Sequence, residues 1–224
     1  MQLYIGNKNY SSWSLRAWLL MKQLGIAFTE RPLRLDWTEG SPFKTTLLAI
    51  APTGRVPLLV DDGFAVWDSL AIAEYLADRF PDKAVWPADR QQRARARSLC
   101  AEMHSGFAAL RERCPMNIEA QLAEVGARTA REWPDVTADV RRIDAMWSEQ
   151  LTASGGPFLF GGFGAADAFY APVCSRIATY GLATGASSRA YAEHVLALPS
   201  MREWSEAGRA EHDFLALDEP YRTP

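Results

Sequence analysis

Reactive sulfur and imidazole are scarce in this chain, which has three cysteines and three histidines in 224 residues. Cys100, Cys114 and Cys174 are odd in number and widely spaced, which argues against a disulfide framework and against a zinc knuckle. No Cys-x-x-Cys occurs, so dithiol exchange has no chemical basis, and all three are read as buried thiols. His104, His194 and His212 share no metal-ligand spacing, are read as surface or core residues, and leave no metal expected. The glycines at 155, 156, 161, 162 and 164 fit no phosphate-loop fingerprint and read as a loop leading into a helix. No apolar run approaches the roughly 18 residues that a spanning helix needs. Met1-Gln2-Leu3-Tyr4-Ile5 lacks the basic segment and long apolar core of a signal peptide, so no membrane partner and a cytoplasmic location are expected. Charge is nearly balanced, at a formal net −3. The locally basic run Arg90-Gln91-Gln92-Arg93-Ala94-Arg95-Ala96-Arg97 has no interleaved aromatics and reads as a solvated helix face or part of a subunit contact, with no nucleic-acid partner.

What the chain does have is apolar content, 48% of its residues, enough for one large or two modest domains. The pattern predicts a strand at about 2–6, a helix at about 12–24 closed by Gly25, and a strand at about 28–35 that Pro32 marks as an edge. Residues 36–52 read as loop-rich. Pro57 cannot donate to a ladder and therefore opens the strand Leu58-Leu59-Val60, and Asp62-Gly63 reads as a tight hairpin into Phe64-Ala65-Val66. Helical spacing then runs from Asp68 to Phe80, giving the order βαβ–ββα. Pro81 to Ala88 carries two prolines and reads as a linker, and the remainder is helical in pattern, with no internal repeat.

Three places in the first 80 residues offer polar anchoring at the end of an element. Asn9-Tyr10-Ser11-Ser12-Trp13-Ser14-Leu15-Arg16 puts hydroxyls at a helix N-terminus, where free N–H groups and the helix dipole suit an anion. A cis bond before Pro57 in Gly54-Arg55-Val56-Pro57 would free the Val56 backbone to pair with an extended ligand. Asp68-Ser69 opens the next helix in the same way. Taken singly these are ordinary helix caps and a strand-opening proline; their grouping within one small α/β unit points to a single groove.

In order and spacing these residues resemble the glutathione transferases over nearly the whole chain. The Ser11–Arg16 run is similar to the serine-type segment of zeta-like and tau-like members, Val56-Pro57 to their cis-proline turn, and Asp68-Ser69 to the pair that grips the γ-glutamyl end of glutathione. The resemblance implies a thioredoxin-like N-terminal domain over 1–80, a linker over 81–88 and an all-helical C-terminal domain over 89–224, an α/β plus all-α fold. It implies glutathione as co-substrate, held by Arg55, Val56, Pro57, Asp68 and Ser69, a small electrophilic second substrate, and a homodimer with the Arg93–Arg97 stretch near the contact. Phe163 to Pro172 resembles the capping box and buried core helix of these proteins, but Gly164 stands where the family places Ser or Thr, leaving only the Asp167 half.

A free thiol titrates near about 8.5, and lowering that by two units takes about 2.7 kcal/mol of preferential thiolate stabilisation. One hydrogen bond to a charged group, roughly 1.5–3 kcal/mol, together with a helix N-terminus is sufficient. Ser11 is assigned as the donor to the thiolate, five residues before Arg16, with Ser12, Tyr10 and Asn9 as alternates. Trp13, Phe107 and Tyr170 are apolar candidates for the electrophile site, and Arg176 a candidate for pairing with a substrate carboxylate. Three activities follow: addition of the thiolate to an electrophile, cis–trans isomerisation of the maleylacetoacetate type, or a non-catalytic module that retains the fold.

Overall fold

Alternation along the strands decides which way the sheet faces. In β1 (Gln2–Ile5), Leu3 and Ile5 are fully buried in the main core, whereas Tyr4 turns to a smaller cluster on the opposite face. In β3 (Leu58–Asp61), Leu59 joins the main core and Leu58 and Val60 the smaller cluster. The computed structural model describes residues 1–223; the last position of the expected helical domain, 224, lies outside the described residues. With β2 (Thr29–Pro32) and β4 (Phe64–Trp67), the strands form one sheet in the order β2-β1-β3-β4, parallel between β1 and β2 and antiparallel elsewhere. Asp62 and Gly63 both have positive φ, 47° and 84°, as the short β3–β4 turn requires.

Helices α1 (Ser12–Gln23) and α3 (Ser69–Arg79) pack on each other and contribute to the main core, which β1 and β3 also enter. Gly25 closes α1 at φ 64°, with Ile26 N–H reaching back to the Met21 carbonyl at 2.9 Å. The smaller cluster is covered by α2 (Pro42–Leu48), through Phe43 and Leu47. This helix lies within the stretch read as loop-rich. Its sequence signal was Ser41-Pro42: Ser41 accepts from Lys44 N–H at 3.2 Å and proline occupies the first helical position.

Among the described residues seven further helices follow: α4 (Arg90–Ser105), α5 (Ala108–Arg113), α6 (Ala123–Glu132), α7 (Pro134–Ser154), α8 (Ala165–Tyr180), α9 (Ala186–Leu196) and α10 (Pro199–Ala210). Buried along nearly all its length, α8 stands at the centre, with α1, α4, α6 and α9 packed around it. The α1–α8 contact joins the α/β unit to the helical region. At the start of α8, Asp167 accepts from Gly164 N–H at 3.0 Å, Leu159 N–H at 3.1 Å and the Tyr191 hydroxyl at 3.0 Å. A Cβ on Gly164 would stand 3.1 Å from the Val85 carbonyl oxygen, which accounts for glycine at this cap. Among the described residues no helix is long and apolar enough to cross a membrane.

Candidate active site

The turn before α1 is built from its own backbone. Tyr10 and Ser11 N–H both donate to the Asn7 carbonyl, at 3.1 and 2.8 Å, and Gly6 N–H donates to Ser14 Oγ at 3.1 Å. Ser11 caps the helix, and its hydroxyl donates to Ser14 Oγ at 2.7 Å. Ser12, at the first helical position, makes no side-chain hydrogen bond to any described residue, and both serines line a cleft of about 410 Å³. Tyr10 lines it too, but its hydroxyl lies 2.7 Å from Glu219 Oε1 and 2.8 Å from the Asp213 carbonyl oxygen. Burial, and then Glu219, push the Tyr10 phenol up to about 12. Asn9 does not line this cleft; its Oδ1 accepts from Ile118 and Glu119 N–H at 2.8 and 2.9 Å, and its Nδ2 is buried without a partner among the described residues.

A second cleft, of about 560 Å³, adjoins the first, and Trp13, Trp37 and Val56 line both. The Val56–Pro57 peptide is cis, and neither Val56 N–H nor its carbonyl bonds to any described residue. Gly156–Pro157 is also cis, which the sequence reading did not foresee. Asp68 caps α3 at φ 79°, accepting from Leu70 N–H at 2.9 Å, and its other carboxylate oxygen lies 3.4 Å from His104 Nε2. Ser69 is 1% exposed and its hydroxyl has no partner. Arg55 and Pro57 complete the set that the sequence pattern placed here. His104, whose ring stands edge-on to Trp13 at 5.1 Å, is a member that sequence reasoning missed. It sits in α4, far from Asp68 in sequence, and no spacing rule links the two.

The first cleft also has a charged wall, where two guanidiniums stand with the carboxylates of Glu112 and Asp218. Arg176 and Arg111 line it, and Arg16 lies behind with its guanidinium 4.2 Å from the Trp13 ring and 4.9 Å from Phe169. Arg176 is 3% exposed and donates Nε–H to the Cys114 carbonyl at 2.8 Å; none of the three forms an ion pair with a described residue. Burial pushes Arg176 down to about 10. Burial, then the charges of Arg176 and Arg111, push Arg16 down to about 9.

Phe107 and Tyr170 line neither cleft. Tyr170 is fully buried, its hydroxyl donating to the Leu99 carbonyl at 3.0 Å, so both belong to the core and not to the electrophile wall. All three cysteines are buried and free, and burial raises each of their pKa values.

A thioredoxin-like unit packed on a helical region is the fold of solved glutathione transferases. The family model described as glutathione S-transferase, N-terminal domain, matches residues 10–79. The chain is 29% identical over 222 residues to maleylacetoacetate isomerase of Pseudomonas aeruginosa, covering 94% of this chain and 98% of that one. Against the Mus musculus maleylacetoacetate isomerase it is 30% identical over 131 residues, 58% of this chain and 57% of the other. A solved glutathione transferase homologue from Burkholderia, with bound glutathione, superposes with a TM-score of 0.68 at 26% identity, covering 93% of this chain and 97% of that one. A holo maleyl pyruvate isomerase, described as a bacterial zeta-class glutathione S-transferase, shares the fold at a TM-score of 0.68 and 21% identity, over 93% of this chain and 98% of the other. Residues 10–79 thus match the glutathione S-transferase N-terminal domain, and over nearly its whole length the chain is similar to glutathione transferases and to maleylacetoacetate isomerase.

Proposed function

We propose that the protein is a glutathione-dependent enzyme that stabilises the glutathione thiolate for attack on a small electrophile. The observation that carries this reading is the buried, unpartnered Ser69 hydroxyl at the N-terminus of α3, in one cleft with the unpaired Val56 backbone. A γ-glutamyl carboxylate satisfies Ser69 and the first turn of α3, and the cysteinyl backbone pairs with Val56 as an added strand. The sulfur then falls at the N-terminus of α1. There Ser12 has a hydroxyl with no competing partner, while Ser11 is occupied in ordering the turn through Ser14. Ser12 is thus the donor to the sulfur, as hydrogen-bond partner and not as nucleophile.

Calorimetric titration with reduced glutathione tests this. One saturable site per chain is expected, weakened about ten- to a hundredfold in Ser69→Ala. No binding at millimolar ligand would leave the fold standing and favour the non-catalytic module instead.

The unpaired guanidiniums of this wall favour an acidic electrophile, and with it the isomerase form of the reaction. Two guanidiniums without carboxylate partners, Arg111 and Arg176, face the cleft beside the proposed sulfur position. In that form the thiolate adds to one carbon of the double bond, the new single bond rotates, and elimination restores the alkene and the thiolate. For the assembled state we propose a cytoplasmic homodimer. Phe64 and Trp67 on edge strand β4, 64% and 41% exposed, supply apolar surface for it, and sedimentation as a monomer would remove the assignment.

A further inference from the structure

The serine turn is held from behind by the end of the chain. Beyond α10, residues 211–223 run without regular helix or strand across the α/β unit. Glu211 accepts from Lys8 N–H at 2.7 Å and Asn9 N–H at 3.3 Å. Asp213 accepts from Asn7 Nδ2 at 3.1 Å, and Leu215 is buried in the apolar cluster of Tyr10 and Leu35. Glu219 follows, 4% exposed, gathering donors from three separate stretches: the Tyr10 hydroxyl at 2.7 Å, Asn117 Nδ2 at 2.8 Å and Arg222 Nε at 2.9 Å. Its neighbour Asp218 lines the cleft that also holds Ser11 and Ser12.

Residues 7–10 have no ladder to fix them, yet all four are buried. A hydroxyl donor stabilises a thiolate only when its oxygen is held in place, and that precision comes from the groups supporting it. Here the support is carboxylates from the chain end. Resting on the glutathione reading above, we propose that Glu219 is a positioning residue for the thiol site, acting through Tyr10, and that residues 211–223 are a strap that fixes the serine turn.

The test uses the full chain, with Tyr10→Phe, which keeps the ring in its apolar cluster, alongside Glu219→Ala and Glu219→Gln. In the unliganded protein, amide exchange over residues 7–12 is expected to quicken about ten- to a hundredfold in Tyr10→Phe and Glu219→Ala. Residues 68–72, at the far end of the cleft, are expected to keep their wild-type rates. Glu219→Gln, which retains an acceptor for Tyr10, should recover most of the protection. In the glutathione complex the first two variants should raise the pKa of the bound thiol by about one unit with affinity little changed. Wild-type exchange over 7–12 in all three variants would overturn the strap whether or not glutathione binds. Faster exchange with an unmoved thiol pKa would overturn the positioning role. A wild type that does not bind glutathione overturns the thiol role together with the proposed function, and is told apart by the exchange response in the unliganded protein.

Discussion

Ser12 and Arg111 were distinguished by their lack of partners, not by their residue type. A serine at a helix start is ordinarily a cap, and Ser11 is one; its neighbour stands free in the cleft because the cap has already taken the Ser14 contact. Tyr10 is set apart by the same reasoning, since its hydroxyl is already engaged with Glu219 and the Asp213 carbonyl. Arg111 and Arg176 bring positive charge to the cleft, and neither is paired with Glu112, Asp218 or any other described carboxylate within salt-bridge distance. Arg111→Gln, at the less buried of the two, is therefore expected to raise KM about tenfold or more for electrophiles bearing a carboxylate. Neutral electrophiles should be affected by less than about twofold. Steady-state kinetics on a matched acid and amide decide it, and an equal loss on both would assign Arg111 to packing.

At the scale of elements, the helix start that matters most for stability is that of α8. Asp167 satisfies two loop N–H groups and the Tyr191 hydroxyl from a fully buried position, and burial pushes its pKa up to about 6 against those hydrogen bonds. The folded-state pKa lies above the unfolded one, so the native state binds the proton more tightly. That contribution is complete below about pH 4 and is lost as pH rises through about 6. The unfolding free energy of wild type minus that of Asp167→Asn should accordingly fall by about 2 kcal/mol between about pH 4 and about pH 7. Urea titrations of both proteins measure this, and parallel pH profiles would contradict it. Elements whose signals are local were legible in the sequence: Gly25 closing α1, Asp62-Gly63 turning the hairpin, and Asp68 capping α3 all stand where the pattern put them. Helix α2 was not, because seven residues give too short an apolar period and its cap was read as part of a loop.

At the scale of the whole molecule, the candidate site is shared between the α/β unit and the helical region. Each half of the site is incomplete without the other: the α/β unit brings Ser12, Val56 and Ser69, and the helical region brings His104, Arg111 and Arg176. Val56 and Ser69 were singled out because each sits at the end of an element with a characteristic motif, whereas the same signal pointed to Ser11 first and to Ser12 only as an alternate. The second group was readable only in part. Arg176 was singled out while Arg111 and His104 were not, and Phe107 and Tyr170 were chosen for aromatic character that the core had already claimed. Long-range juxtaposition of this kind has no periodicity to reveal it.

The central claim is that the start of α1 holds a thiolate, and the most direct measurement is a pH titration of the ultraviolet thiolate absorbance of the glutathione complex. A bound-thiol pKa about two units below the free value of about 8.5 is predicted, reverting by about one unit or more in Ser12→Ala and by less in Ser11→Ala. A bound thiol that titrates like free glutathione, with affinity intact, would contradict it.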